Sequence, residues 1–249
     1  MKIKLINPNT TWSMTKSIEE AAKKYASDDV TVFAVSPQMG PTSIESYYDD
    51  YLAIPGTLDE IRKGDEEEGC DGYVIACFGD PGLHAARELT DKPVVGIAEA
   101  ATFMASMLAR RFSVVTVLDR SRCLIEDVVN SYVPGGKIAS VRTTGWAVLA
   151  FEQNPEEGLA ALAQESRRAV AEDGAEAILL GCAGFADFAQ DLERQLGVPV
   201  LDGVAAATKF VELLVRMNKT TSKVLTYARP EQKSMTGILS SFSVETTKV

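Results

Sequence analysis

Two stretches of this chain, EGCDGYVIACFGD (Glu68–Asp80) and DGAEAILLGCAGF (Asp173–Phe185), align without gaps at a separation of 105 residues. Each has an acidic residue followed by glycine, a second acidic residue, an apolar run, and then the pattern Cys-x-Gly. A buried parallel strand is commonly an apolar run of this kind, but core packing does not require the same cysteine and glycine in the loop that follows. The stretches therefore indicate an internal duplication in which two strands end at cysteines, Cys77 and Cys182.

The duplication extends to the segments around these stretches. After one added residue, KPVVGIAEAA (Lys92–Ala101) aligns with VPVLDGVAAA (Val198–Ala207), and the opening IKLINPNTT (Ile3–Thr11) aligns with FSVVTVLDR (Phe112–Arg120). The alternative is that the halves look alike only because all strand-helix-strand units do. The match in the loops favours a true repeat, with one opening strand and one strand ending in cysteine in each half.

Short β-branched runs alternate with helical patterns, which is typical of parallel sheets covered by helices. The strands are predicted at Ile3–Ile6, Val30–Val35, Gly72–Ala76, Val94–Val95, Ser113–Val117, Ser140–Arg142, Ala177–Leu180 and Val200–Leu201. The helices are predicted at Ser13–Tyr25, Leu58–Glu68, Ala98–Arg110, Arg122–Tyr132, Glu156–Glu172 and Val204–Arg216.

These patterns predict an α/β fold of two similar lobes, each a mainly parallel sheet flanked by helices. The lobes are expected to be related by a pseudo-twofold axis, with the active site in the cleft between them. The first lobe is predicted to hold residues 1–97 and about 205–225, and the second lobe residues 98–204. Residues 226–249 form a polar C-terminal tail that is expected either to wrap a neighbouring subunit or to remain mobile.

Composition narrows the class of function. The net charge of −10 over 249 residues argues against nucleic-acid and membrane partners, because their phosphates are also negative. No long apolar segment precedes or interrupts the alternating strands and helices, and the four cysteines form no CxxC pair. We therefore expect a cytoplasmic protein with reduced thiols, a small-molecule substrate and a homo-oligomeric assembly of unspecified size.

Cys77 and Cys182 both lie at the carboxyl ends of predicted strands, where ligands bind in open α/β folds. Asp80 and Pro81 are predicted as the N-cap and first residue of a helix, and Cys182 precedes a helix predicted from about Ala186. A helix amino terminus favours a thiolate. Free cysteines are also often small buried apolar residues, and that interpretation is adopted for the other two, Cys70 and Cys123.

Two opposed thiols suit racemisation. Inverting a carbon requires one group that removes a proton from one face and another that delivers a proton to the opposite face. Cysteine can serve both roles, because a modest environmental shift brings its pKa near the operating pH. Backbone N–H groups of the glycine loops could stabilise the developing enolate. A two-lobed binding protein for a small metabolite is the alternative from another class, but binding alone gives no reason for a thiol in both loops.

The sequence resembles the hydantoin racemase family, within the aspartate/glutamate racemase superfamily, over about its first 225 residues. The resemblance is carried by INPNTT (Ile6–Thr11), GPTSIES (Gly40–Ser46), VIACFGDPGL (Val74–Leu83), PVVGIAEAA (Pro93–Ala101) and GCAGF (Gly181–Phe185). It implies that Cys77 and Cys182 are the catalytic pair. It also implies a 5-substituted hydantoin, allantoin included, as substrate, and neither a cofactor nor a metal.

Amino-acid racemases of the superfamily carry Asn-Thr after the first cysteine and Thr after the second. This chain has Phe78-Gly79 and Ala183 there, with Phe185 nearby, which favours a flat neutral ring over aspartate or glutamate. An amino-acid racemase or a maleate-type isomerase remains the alternative enzyme. The predicted substrate-binding residues are Asn7, Asn9, Pro41, Thr42, Ser43, Ile44, Phe78, Gly79, Thr116, Val117, Ala183, Gly184 and Phe185.

His84 is the only histidine and lies just after CFGDPG. A single histidine does not suggest a metal cluster. An exposed or capping role is therefore predicted for it, in preference to catalysis.

Overall fold

The strands form two sheets with the same internal order. In this computed structural model, which describes residues 1–133 and 135–244, the first sheet has the order β2-β1-β3-β4 and the second β6-β5-β7-β8. Every strand pair in the described residues is parallel. The strands are β1 (Lys2–Ile6), β2 (Thr31–Val35), β3 (Gly72–Ile75), β4 (Val94–Gly96), β5 (Phe112–Thr116), β6 (Ile138–Thr143), β7 (Ala177–Leu180) and β8 (Val200–Leu201).

The equal strand orders confirm the fold class predicted from the repeat. β1 pairs with β3 as β5 pairs with β7, so each strand that ends near a cysteine lies beside the opening strand of its own half. Because parallel strands present their carboxyl ends at the same edge, the loops after β1 and β3 lie together at one edge of the first sheet, and those after β5 and β7 at one edge of the second. The lobe boundaries remain predictions.

Helices connect the strands of both sheets. They are α1 (Trp12–Tyr25), α2 (Tyr47–Lys63), α3 (Leu83–Leu89), α4 (Ile97–Leu108), α5 (Arg122–Tyr132), α6 (Ala150–Gln153), α7 (Pro155–Asp173), α8 (Ala189–Leu196) and α9 (Gly203–Arg216). Within the described residues no helix is both long enough and apolar enough to cross a membrane.

The start of α2 differs from the prediction. The helix was expected to begin at Leu58, but it begins at Tyr47, with Ser46 as its N-cap. Pro55 lies inside it, and proline followed by glycine is ordinarily a turn signal. The tyrosines before Pro55 are exposed and the buried Asp50 is polar, so this first half of the helix lacks an apolar stripe and local pattern could not reveal it.

The helices after the cysteine loops also begin later than predicted. Gly82, in the left-handed conformation, precedes α3, so Asp80 is not its N-cap and Pro81 is not its first residue. A 3-10 turn covers Ala183–Phe188 before α8, and Gly197 caps the end of that helix. A tight turn, and not the start of an α-helix, therefore follows each cysteine.

One apolar core runs through both lobes. It includes Leu5 and Val74 of the first sheet and Val114 and Leu179 of the second sheet. Helices α4 and α9 pack against each other, with α9 also against β3 and β4, and α4 against β7. The shared core holds the two sets of loops in a defined relation to each other.

The segment after α9 contacts α2 and α3 of the first lobe, and its contact with a neighbouring subunit stays a prediction. Tyr227 Oη lies 2.8 Å from His84 Nδ1 on α3, and Arg62 on α2 donates to the carbonyl of Ser241 at 2.8 Å. The last five residues of the tail, 245–249, lie outside the described part of the chain.

Candidate active site

A cavity of about 530 Å³, counted to its open mouth, lies between the carboxyl ends of the two sheets. Cys77 and Cys182 both line it. The other lining residues are Asn7, Asn9, Met14, Ile44, Glu45, Ser46, Ala76, Phe78, Gly79, Thr116, Val117, Ser121, Leu124, Ile125, Val148, Gly181 and Ala183. Each lobe therefore contributes one thiol and one opening-strand loop to a single site.

The two cysteines occupy equivalent tight turns. The carbonyl of Cys77 accepts from the N–H of Asp80 at 2.9 Å, and that of Cys182 accepts from the N–H of Phe185 at 3.1 Å. In each turn the glycine two residues after the cysteine directs its N–H at the sulfur and lowers the thiol pKa. The repeated Cys-x-Gly pattern thus places one sulfur and one backbone donor at each side of the cavity.

Burial nevertheless dominates the electrostatics of both thiols. It raises the pKa of Cys77 well above its ordinary value, with the charge of Asp50 as the next cause. Burial also raises the pKa of Cys182, to about 11. A pKa lowered by a helix amino terminus was expected, but both helices begin beyond the turns, and enclosure disfavours the charged form. Both thiols are therefore protonated at neutral pH before a substrate binds.

The remaining cysteines lie away from the cavity. Cys70 is buried as predicted, whereas Cys123 was expected on an apolar face and is exposed on α5. His84 is exposed on α3, as predicted, and stacks on Tyr227. The described residues contain no group of three or more histidine, cysteine or acidic side chains placed to hold a metal ion.

Polar side chains of the first lobe line the cavity as an ordered pair. Asn7 Nδ2 donates to Asn9 Oδ1 at 2.9 Å and to Thr15 Oγ1 at 3.0 Å. Asn9 Oδ1 also accepts from the N–H of Thr11, which fixes the loop before α1. In the second lobe Thr116, the counterpart of Asn7, donates to the carbonyl of Gly181 at 2.9 Å. Both opening-strand loops therefore present polar groups that internal hydrogen bonds hold in place.

Five predicted binding residues do not line this cavity: Pro41, Thr42, Ser43, Gly184 and Phe185. The carbonyls of Pro41 and Thr42 accept hydrogen bonds from Thr10 and Thr11 and so brace the loop after β1. Phe185 is buried behind the wall, with its ring 4.5 Å from that of Phe151. One aromatic ring, Phe78, lines the cavity where two were expected.

Sequence reasoning missed lining residues that come from elements between the strands. Met14 lies on the apolar stripe of α1, and Leu124 and Ile125 lie on α5. No local signal distinguishes these side chains from ordinary core residues, since the same helical periodicity serves both uses. Their contribution depends on how the helices pack around the cleft.

Hydrogen bonds between the lobes close the cavity. Glu45 Oε1, in the loop before α2, accepts from the N–H of Val148 at 2.6 Å, and both residues line the cavity. At the exposed surface Tyr47 Oη donates to Asp127 at 2.8 Å. The first lobe therefore holds the loop before α6 over the site.

Comparison with known proteins agrees with this architecture. A family model described as Asp/Glu/Hydantoin racemase matches residues 3–211. A hydantoin racemase from Pseudomonas sp. strain NS671 is 62% identical over 242 residues, covering 97% of each protein. A hydantoin racemase from Rhizobium meliloti is 48% identical, covering 95% of this chain and 98% of that protein. An allantoin racemase structure from Klebsiella pneumoniae has a TM-score of 0.94 at 44% identity, covering 98% of this chain and 99% of that one.

Proposed function

This chain belongs to the Asp/Glu/hydantoin racemase family, and from that premise we propose that it inverts carbon 5 of a 5-substituted hydantoin, with Cys77 and Cys182 as acid and base. Relatives that match nearly its whole length are named hydantoin racemase or allantoin racemase, so it is an isomerase. Allantoin and amino-acid-derived hydantoins are the substrate candidates.

One observation carries the proposal: a single cavity is lined by two thiols that come from different lobes and equivalent turns. A racemase needs a base on one face of the substrate and an acid on the other. Thiols that follow equivalent strands of facing lobes supply such a pair. Neither Cys70 nor Cys123 lines this cavity.

The reaction requires a proton transfer at each face. The thiolate of one cysteine takes the proton from carbon 5, and the electron pair of that C–H bond moves into the adjacent carbonyl as an enolate. The thiol of the other cysteine then gives its proton to carbon 5 from the opposite face, which leaves a thiolate there and a thiol at the first cysteine. The raised thiol pKa values make each thiolate a stronger base, at the cost of a smaller ionised fraction.

The cavity suits a neutral ring better than an amino acid. Among the described residues that line it, none is a lysine or arginine, and the only charged side chain is the acidic Glu45. The carboxylate of aspartate or glutamate would have no cationic partner there. The side-chain oxygens of Asn7, Thr116 and Ser121 can instead accept from the N–H groups of a hydantoin, while Phe78 and Leu124 contact its faces or substituent.

The test follows one enantiomer of a 5-substituted hydantoin in heavy water, by optical rotation and by deuterium content at carbon 5. Both should change with no cofactor added, faster than in a protein-free control that measures spontaneous exchange. A panel of allantoin, benzyl-hydantoin, isopropyl-hydantoin, aspartate and glutamate identifies the substrate class. Binding of hydantoins without loss of optical rotation would instead support a pure binding protein, and turnover of aspartate alone would support an amino-acid racemase.

A further inference from the structure

Asp50 is a buried acid beside the active site that the two-thiol mechanism does not use. It lies in the first turn of α2, whose N-cap is Ser46. Its side chain points inward and only 6% of the residue is exposed, whereas its neighbours Tyr48 and Tyr51 are largely exposed. Among the described residues no group donates a hydrogen bond to its buried Oδ1. An unpaired buried carboxyl costs free energy, so its placement calls for a functional explanation.

The carboxyl contacts the turn that carries Cys77. It lies against Gly79, where an added Cβ would overlap Oδ1 of Asp50. Leu124 of the second lobe lies against the same glycine, 3.4 Å from that Cβ position. Only glycine therefore fits between the carboxyl and the other lobe. Its N–H is the donor that faces the sulfur of Cys77.

The charge of Asp50 acts on the two thiols unequally. After burial it is the largest cause of the raised Cys77 pKa, with smaller contributions from Cys182 and Asp80. The acids that act on Cys182 are instead Glu45, which lines the cavity, and Glu152 on α6.

Asp50 itself titrates near neutrality. Burial and the neighbouring Asp49 raise its pKa to about 7. Ionised Asp50 is thus expected to be present when the enzyme works at or above neutral pH.

We propose that Asp50 is a positioning residue that holds the proton on Cys77, so that Cys182 ionises first and Cys77 serves as the acid partner in the resting enzyme. This inference rests on the proposed function and deepens it, because it makes two otherwise equivalent thiols unequal. After a turnover that leaves Cys77 as thiolate and Cys182 as thiol, the charge of Asp50 opposes that form. It therefore favours return of a proton from solvent to Cys77 and loss of one from Cys182.

The direct test needs no substrate. Each thiol is alkylated with iodoacetamide over a range of pH, and the rates for the Cys77 and Cys182 peptides are read by mass spectrometry. In Asp50→Asn the Cys77 rate near pH 8 should rise by about threefold to tenfold, because a like charge has been removed. The Cys182 rate in the same sample should change by less than about twofold. Asp59→Asn removes one charge from the far end of α2 and should alter neither rate.

Asp50→Ser removes the same charge with a smaller side chain. The alkylation rates are interpreted for whichever of the variants Asp50→Asn and Asp50→Ser keeps the wild-type circular dichroism spectrum. Asp50→Glu, which keeps the charge, should restore the wild-type order of the two thiols. An unchanged Cys77 rate, or equal increases at both thiols, would overturn the inference.

Kinetics give an independent readout. The equilibrium constant of a racemisation is one, so kcat/KM must be equal in the two directions, but kcat and KM can each differ between enantiomers. Unequal thiols predict that the enantiomer deprotonated by Cys182 has both the lower KM and the lower kcat. In Asp50→Asn the ratio of the kcat values for the two enantiomers and the ratio of their KM values should each move toward one by about threefold or more. Ratios that stay at their wild-type values would count against the inference. If the wild type racemises no hydantoin while the alkylation shift is observed, the proposed function fails and the assignment of Asp50 stands.

Discussion

The carboxylate of Asp80 caps helix α4 in the place of a side chain on Gly96. Its two oxygens accept from the N–H groups of Ala98 at 3.1 Å and Glu99 at 2.9 Å. Gly96 is the N-cap residue of α4, and an added Cβ there would overlap that carboxylate. In the other half Asp202 is itself the N-cap residue of α9, and its side chain accepts from Val204 and Ala205.

The same capping interaction therefore comes from different chain positions in the two halves. In the first half it ties the turn of Cys77 to α4, and Tyr132 of α5 donates to the same carboxylate at 2.8 Å.

Substitution should move the carboxylate that caps α4 from position 80 to position 96. Asp80→Ala should lower the free energy of unfolding by about 1–3 kcal/mol, because two N–H groups of α4 and the hydroxyl of Tyr132 lose their acceptor. Adding Gly96→Asp should restore part of that loss by copying the arrangement of Asp202. Gly96→Asp alone should destabilise, since two carboxyl groups would compete for one position. Urea unfolding gives the free energy of unfolding of all three variants. A double variant no more stable than Asp80→Ala would contradict this explanation of the cap.

The cysteines should separate into two classes. Cys77→Ser and Cys182→Ser should each reduce racemisation by at least about 10³-fold, because a serine hydroxyl is a far weaker acid than a thiol and is essentially never ionised at the working pH. Cys123→Ser is the matched control on the surface of α5 and should keep nearly full activity. Polarimetry measures the activity and circular dichroism checks the fold. A Cys123 variant as damaged as the other two would refute the assignment.

Activity should increase with pH above neutrality. Burial raises the pKa of both cavity thiols, that of Cys182 to about 11, so the fraction with one thiolate grows as the pH rises. The pH profile of kcat/KM from about pH 6 to 10 reports the free enzyme. A profile that falls above neutrality would show that another group supplies the base.

The raised pKa values of the two cavity thiols also affect the stability of the protein. The unfolded chain releases these thiol protons near pH 8.5, about the ordinary cysteine pKa, before the folded chain does. The free energy of unfolding should therefore fall as the pH rises from about 9 toward 11. Urea unfolding across this range should show a smaller fall in Cys182→Ser, because that variant lacks one shifted thiol. An equal fall in the variant and the wild type would argue against a raised pKa at Cys182.

The hydrogen bond between Glu45 and Val148 should govern substrate retention. Glu45→Ala removes the acceptor that holds the loop before α6 over the cavity. KM should rise by about threefold to thirtyfold, equivalent to about 1–2 kcal/mol, with a smaller change in kcat. Asp127→Asn alters an exposed bridge between the same lobes and should shift KM by less than about twofold. Steady-state kinetics distinguish the two, and equal effects would show that Glu45 has no special role in closure.

Much of the fold could be predicted because its signals are local. The strand bounds agree with the structure to within about two residues, since β-branched runs between turn residues report burial directly. The first half of α2 could not be predicted. Its exposed face carries Tyr48 and Tyr51, and Asp50 points into the protein, so hydrophobic periodicity runs opposite to the true helix face.

The two cysteines of the site were predictable because the repeat marks them. Cys77 and Cys182 stand out because two distant segments share a loop pattern, and both line one cavity. Phe185 follows the same pattern yet packs on Phe151 behind the wall. A residue's position after a strand predicts its edge of the sheet, but the rotation of the turn determines whether its side chain faces the cleft.

The sequence by itself determined the duplicated α/β plan and the placement of Cys77 and Cys182 after equivalent strands, because these follow from local patterns repeated along one chain. Only the tertiary structure decided which acidic side chains lie against the turns of the two cysteines. Asp50 reaches Gly79, in the turn of Cys77, from α2, and Asp80 caps α4 across 18 residues of chain. Such contacts depend on how helices pack over the sheets, and burial, which sets the pKa of each thiol, exists only once the lobes have come together.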